Sequence, residues 1–350
     1  MPNRFRALIQ PILAVVLGLA LGLLVTTIAG ENPLTVLRIL GKSAFGSAYD
    51  FGMTLFYATP LLLTGLSVAM AFHCGLFNIG AEGQLIMGAL AAAAVGILFP
   101  NVPWPVAPIF AGLAAFTAGG IWGAIPGWLR ARRGSHEVIN TIMMNFVAAG
   151  LASYITLYWL KNPDSQNPET RAVGPGYVID QLKVFGDAPA STAVFLALGA
   201  ALVCWVFLWK SVPGYELRAV GESESAARAA GISAAKQRII AMALAGGLAG
   251  LVGVGEVLGN AHRFRLGFSP DYGFMGIAVA LLGRGRPSGV VASALLFGAL
   301  HKGTADLDFE TEHVTREISM VLQALVILCV SADGLWDWLK RKGPAKRKEA

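Results

Sequence analysis

The chain has 350 residues, 55% of them hydrophobic and only 14% charged, with a net charge of +6. A mean hydropathy of +0.61 excludes an ordinary soluble domain and predicts an integral membrane protein. The 42 glycines suit that class, because helices in lipid gain little from apolar burial and pack through small residues instead.

Arg4 and Arg6 precede an apolar run from 7 to 29 that is too long for a signal-peptide core and predicts a first membrane span. About 20 residues cross the hydrocarbon at 1.5 Å each. Further runs of that size lie near 53–72, 76–98, 105–129, 137–160, 191–209 and 236–258, with weaker ones near 267–283, 287–303 and 316–332. Between the first two, residues 32–50 place apolar side chains at helical intervals around Arg38 and Lys42, the pattern of an interfacial helix. The run at 267–283 is short and holds Pro270 and Asp271, so it reads as broken or re-entrant. The expected fold is an all-α polytopic membrane protein of about ten spans, with eight or nine as the alternatives.

With the amino terminus inside and the sides alternating, the interior loops collect Arg130, Arg132, Arg133, Lys210, Arg218, Arg228, Lys236, Arg238, Arg284, Arg286 and the basic tail from Lys340. The exterior loops hold Glu31, Asp164, Glu169, Asp180 and Asp187 among others. Basic residues inside are what membrane topology demands, so the positive balance reports orientation, with both termini cytoplasmic, and no nucleic-acid partner. One transmembrane domain is expected over 1–350. It has a turn-rich outer loop at about 161–190 and a polar inner loop at about 210–235.

Several polar residues interrupt the apolar runs. Asn78 and Glu82 are four apart in "GLFNIGAEGQLIMGAL", which places them on one helical face, with Gln84 turned elsewhere. Either they bond to neighbouring helices or they border a wet substrate path, since a carboxylate at membrane depth is costly. Asn140, Thr141 and Asn145 interrupt the fifth span, Thr141 and Asn145 on one face and Asn140 rotated away; Met143 and Met144 read as core filler. Gly246 with Gly250, and Gly255 with Gly259, mark a close-packing face, with Glu256 near its outer end. Arg263, Arg265 and Asp271 beside Pro270 and Gly273 cannot sit in an unbroken lipid-facing helix, and a broken helix at a vestibule fits them. "LFNIGAEGQLIMGA" and "LGFSPDYGFMGIA" echo each other weakly, in segments entering from opposite sides, as an inverted repeat would.

Cys74, Cys204 and Cys329 are far apart, lie in or beside apolar runs and read as small buried residues. The chain has no G-x-x-x-x-G-K-[ST] phosphate loop, so ATP-driven work needs another subunit. His136, His262, His301 and His313 have no matching ligand set, so no metal site is expected, and no G-x-S-x-G elbow appears. The chain reads as a translocator and not an enzyme.

In the inner loop, "GYELRAVGESESAARAAGISAAKQR" at 214–238, Ser223 can cap a helix of about nine residues, roughly 14 Å, that Gly231 ends. This stretch, together with "FHCGLFNIGAEGQLIMGA", "HEVINTIMMNFVA" and "FSPDYGFMGIAVALLGRGRPSGVV", resembles the permease subunits of ATP-binding-cassette importers in the nucleoside and simple-sugar branch. Of these, "FHCGLFNIGAEGQLIMGA" and "FSPDYGFMGIAVALLGRGRPSGVV" resemble the nucleoside permeases more.

The resemblance implies a type II-like importer fold in a bacterial-type plasma membrane. It also implies that 214–232 is the coupling loop gripped by a nucleotide-binding ATPase, with Glu216, Arg218, Glu222 and Arg228 as polar contacts and Gly231 as the helix stop. The implied assembly adds a second permease subunit, identical or paralogous, and an extracytoplasmic binding lipoprotein. ATP and magnesium would sit on the ATPase, with no cofactor on this chain. Asn78, Glu82, Gln84, Asn140, Asn145, Glu256 and Asp271 are the candidate pathway residues. The rival reading is an ion-coupled secondary transporter or channel in which Glu82 binds a proton or cation.

Overall fold

The computed structural model describes residues 2–331, and the regular structure among them is helical, with three isolated antiparallel bridges and no named strand. The basic tail from Lys340 lies outside the described residues. Helices α1 (Pro2–Ile28) and α2 (Pro33–Phe45) lead into α3 (Ala48–Phe72), α4 (Ala81–Leu98), α5 (Val106–Arg133) and α6 (Glu137–Tyr158). A long connection follows, and then α7 (Ala193–Lys210), the short α8 (Val212–Glu222) and α9 (Glu224–Ala229), and α10 (Ala234–Gly250), continued by a π-helical stretch at Val254–Ala261. The last three are α11 (Tyr272–Leu282), α12 (Pro287–Glu310) and α13 (Arg316–Ser331).

Among the described residues, six helical stretches, namely α3 to α7 and the continuous 234–261, are long and apolar enough to cross a membrane. Ile12–Ile28, Tyr272–Leu282 and Met320–Val330 are shorter apolar helices. Each predicted run coincides with one of these or with α12, which is long enough but carries Lys302, Asp306 and Asp308. The weak run at 267–283 becomes helical only at Tyr272, and its 11 residues cover about 16 Å, roughly half the hydrocarbon thickness.

The described chain falls into two compact units. The first joins residues up to Ser43 with those from Leu300. In it α1 lies against α13 through glycine notches: a Cβ at Gly18 would be 2.6 Å from Val326 Cα, and one at Gly22 2.6 Å from Leu322 Cγ. Lys302 pairs with Asp306 one turn on, and the Gln323 amide donates to Thr304. Exposed Arg38 and Lys42 and buried Val36, Ile39 and Leu40 give α2 two unlike faces, as expected of an interfacial helix.

The second unit runs from Ala44 to Ala299. On α5 the buried positions include Ala107, Ala111, Ala115, Gly119 and Gly123, four residues apart, while Ile109, Leu113 and Ile121 point outward. Small residues inside and large ones outside are the lipid pattern, since outward apolar surface costs nothing there and close backbone approach is what holds the helices. The partner face is α10: a Cβ at Gly246 would lie 2.2 Å from Gly119 O, and one at Gly250 2.3 Å from Ala115 O. Of the glycine face expected at 246–259, Gly246 and Gly250 form the crossing of α10 with α5, whereas Gly255 and Gly259 face Ala193 and Ser191. On the fifth span Met143 is 52% exposed, which corrects its assignment to the core; it lies on the outer face of α6.

The connection from 159 to 192 holds only two 3-10 turns, at Pro175–Tyr177 and Lys183–Phe185. It is pinned by the Tyr177 hydroxyl, which donates to Phe99 O at 3.1 Å, and by Glu169, which accepts from Arg263 at 2.8 Å and pairs with Arg265 at 3.4 Å.

Candidate functional site

Between α3 and α4 the chain turns through eight irregular residues, and Gly75 takes φ +70°, a left-handed value that a side chain would strain. The helix begins at Ala81, so Asn78 precedes it and shares no helical face with Glu82, a correction to the spacing argument. Gln84, expected to point away, is instead its partner. Asn78 Nδ2 donates to Gln84 Oε1 at 2.8 Å and to Ser67 Oγ at 3.1 Å; Gln84 Nε2 returns a bond to Asn78 Oδ1 at 3.0 Å.

From α6, Asn145 donates to Ile79 O at 3.0 Å and accepts from the Gly83 N–H at 2.8 Å. It therefore satisfies one of the free N–H groups of the first turn of α4. Thr141 shares that buried face, whereas Asn140 is half-buried and donates to Ser135 Oγ at 2.7 Å. The amides of Asn78, Gln84 and Asn145 thus hold the mouth of α4 in place. Asn78→Leu, which strips Gln84 and Ser67 of partners while keeping the volume, should destabilise the protein by about 1–3 kcal/mol, read as a lowered midpoint of thermal unfolding in detergent.

Glu82 answers to a different element. Its Oε2 accepts from the Gly273 N–H at 2.7 Å, and its carboxylate also accepts from the Ser269 hydroxyl. A Cβ on Gly273 would lie 2.3 Å from Glu82 N, so the first turns of α4 and α11 touch backbone to backbone. Helix N-termini carry unpaired N–H groups and partial positive charge, and two of them meet here. A carboxylate between them is the complementary group, which accounts for its presence in an apolar stretch.

The segment before α11 is irregular from 262 to 271, as the broken-helix reading expected, and Asp271 ends it in a left-handed conformation, φ +62°, with an exposed side chain. Glu256 is buried in the π-helical stretch, accepts from Asn260 at 3.2 Å and lines a small separate cavity with Phe56, Thr59 and Ser191. Glu82, Ser269 and Asp271 gather at the α4–α11 junction; Glu256 and the buried amides bond to other partners.

At the other end of α11 the basic residues gather. Ser211 caps α8 by accepting from Gly214 N, and Ser223 caps α9 by accepting from Ala226 N. The helix expected between Ser223 and Gly231 is α9, which has six residues instead of about nine and ends before Gly231 at φ +80°, and α8 precedes it as a separate helix. Glu216 accepts from Gln237 Nε2 at 2.5 Å, and Arg218 donates to Leu208 O at 2.9 Å and lies over the Trp209 ring at 5.6 Å. Glu222, Arg228 and Gly231 are exposed.

Glu224, which sequence spacing marks only as the i, i+4 partner of Arg228, bonds both Arg228 and Arg238 at 2.5 Å and ties α9 to α10. The Arg238 bond and charge, with Arg228 beside it, hold the Glu224 carboxyl below the ordinary carboxylate range. A depressed carboxylate stabilises the fold above its unfolded pKa, and that contribution goes as pH falls through the folded value. Hydrogen exchange of residues 224–230, corrected for intrinsic rates, should therefore stay slow at neutral pH and quicken below about pH 4.

His73, at the end of α3, is the member of this end that the sequence did not mark. Its Nε2 lies 3.0 Å from Gly285 O and its ring stands edge-on to Trp209 at 5.2 Å. A carbonyl only accepts, so Nε2 carries the proton. Burial holds its pKa below the usual histidine value against the opposing pull of Gly285 O, which keeps the ring neutral. Cys74 beside it is a buried free thiol, pushed up to about 12 by burial, and Cys204 and Cys329 are also buried.

Residues 51–331 match the family model described as the permease component of the branched-chain amino acid transport system. A guanosine ABC transporter permease of Bacillus subtilis is 38% identical over 95% of both chains. A nucleoside ABC transporter permease of Lactococcus lactis is 33% identical over 100% of this chain and 98% of its own. A glucose ABC transporter permease of Haloferax volcanii is 32% identical over 91% and 85% respectively. An all-helical membrane chain with these full-length relatives belongs to the branched-chain-type permease family, whose members are the translocating subunits of ABC transporters.

Proposed function

We propose that the chain is the membrane half-channel of a nucleoside importer. The observation that carries this is its full-length likeness to two permeases, one for guanosine and one for nucleosides, together with a junction of two helix mouths bearing acceptor oxygens. Nucleosides are neutral and amphipathic, and a path lined by Glu82, Asp271 and aromatic side chains such as Phe274, 42% exposed on α11, suits hydrogen-bonding rings better than ions.

A partner ATPase grips α8 and α9, whose exposed Glu222, Arg228 and Gly231 form the available edge. It binds ATP and magnesium, while this chain carries no cofactor. A second permease subunit and an extracytoplasmic binding lipoprotein complete the assembly, in a bacterial-type plasma membrane with both termini in the cytoplasm. The glucose permease among the relatives supports a second reading, in which a simple sugar is carried.

The test is uptake by vesicles containing this permease with its partner subunits. Labelled guanosine should enter only with internal or external ATP on the ATPase side, and excess unlabelled glucose should leave the rate unchanged. Competition by glucose would favour the sugar reading. Uptake on a proton or sodium gradient without ATP would overturn both in favour of an ion-coupled carrier.

A further inference from the structure

We infer that α11 is a connecting rod that carries motion of the α8–α9 segment to the α4–α11 junction, with His73 and Glu82 as positioning residues at its two ends. This rests on the reading above that an ATPase moves α8 and α9.

At the basic end α11 stops at Leu282 and the chain reverses through Arg284 and Gly285, both with positive φ. Gly285 O is held by the Nε2 proton of His73 at 3.0 Å. His73 is in turn pressed from two sides, by Trp209 at the end of α7 and by the last turn of the moving α8. Trp209 stands against its ring, with the Arg218 guanidinium of α8 stacked on the indole. The last turn of α8 meets its backbone, since a Cβ at Gly221 would lie 2.2 Å from His73 O and 3.1 Å from Gly75 N. Atoms that close leave no slack, so a displacement of α8 must move residues 73–75 and, through Gly285, the foot of α11.

Along its length α11 is clamped to α3. A Cβ at Gly276 would lie 2.6 Å from Thr64 Oγ1, and one at Gly65 2.7 Å from Val279 Cγ1. At the far end Gly273 N–H is fixed to the Glu82 carboxylate at 2.7 Å. The two attachments bracket an 11-residue helix, so a push at Gly285 is delivered about 16 Å away at the mouth of α4. The two attachments are hydrogen bonds between different elements, which is the kind of link that joins rigid bodies without merging them.

The experiment uses the complete transporter in lipid, reading substrate moved per ATP hydrolysed. His73→Ala should lower this ratio about tenfold while hydrolysis continues, and His73→Gln, which keeps an Nε2 donor, should restore most of it. The double variant His73→Ala with Glu82→Ala should be no worse than the more severe single, because a rod cut twice transmits no less than a rod cut once. An unchanged ratio in His73→Ala, or single defects that multiply, overturns the rod.

Should His73→Ala not assemble, paired labels at exposed Tyr215 on α8, half-buried Ile277 on α11 and exposed Ile121 on α5 decide the matter in an otherwise unaltered complex. The 215–277 distance should stay constant between nucleotide-free and ATP-bound states while 277–121 changes; any other pattern overturns the proposal. If ATP drives no uptake in the unaltered complex, the failure is that of the functional reading. If ATP-driven uptake is intact and only these results fail, the rod alone is wrong.

Discussion

Glu82→Leu should abolish uptake while Glu82→Gln retains a measurable fraction of it. Leucine leaves the Gly273 N–H and the Ser269 hydroxyl without their acceptor, at a cost of about 1–3 kcal/mol for each buried group left unpaired. Glutamine keeps an acceptor oxygen of the same reach and loses only the charge that complements two helix N-termini, a loss of about 0.3–1 kcal/mol for each terminus. The ordering of the three proteins therefore separates a hydrogen-bonding role from a charge role. Initial rates of ATP-driven uptake in vesicles, normalised to inserted permease, provide the measurement. Full uptake by Glu82→Leu would remove Glu82 from the pathway and from the junction alike.

Gly250→Val should prevent the second unit from forming. A Cβ there would lie 2.3 Å from Ala115 O and 3.2 Å from Gly119 Cα, and on the other side Gly88 already brings α4 against Gly250 Cα. Both obstacles are α5 backbone, which cannot rotate aside, so α10 must separate from α5. Overpacking costs about 1–3 kcal/mol where side chains can yield, and a clash with backbone exceeds that range. The expected result is loss of the monodisperse peak in detergent extracts. Gly150→Val on α6 has nothing within 4 Å of its Cβ and should extract normally, which controls for the substitution itself.

These two positions show what a linear reading can and cannot see. Gly246, Gly250, Gly255 and Gly259 announced a close-packing face by their four-residue spacing, because small side chains on one helical stripe have few other uses in lipid. That Gly250 touches α4 as well as α5 depended on how three helices cross, and no spacing encodes it. Glu82 was legible as a residue needing an explanation, yet its partner is 191 positions away. Asn78 was misread for a local reason: a four-residue interval implies a shared face only inside a helix, and α4 begins at Ala81, after the turn at Gly75.

The segment at 210–235 divides in the same way. Ser211 and Ser223 are capping residues at recognisable places, and Gly231 stops a helix by its left-handed backbone, all properties of near neighbours. Glu216 and Arg218 looked available because they are charged, but Gln237 and the end of α7 occupy them. His73 carried no pattern at all, since its partners Trp209, Gly221 and Gly285 come from three other parts of the chain.

The sequence by itself determined that this is a helical membrane protein, where its spans lie, where the chain breaks before Tyr272, and which family it resembles. Those properties follow from hydropathy and from interactions within one or two helical turns. The tertiary structure alone decided that α4 and α11 meet mouth to mouth around Glu82, that the buried amides hold the entry to α4, and that α9 is tied to α10 through Glu224. Each of these joins groups distant in the chain, and in lipid the choice among close-packed arrangements rests on backbone approach and hydrogen-bond geometry, which exist only once the helices have crossed.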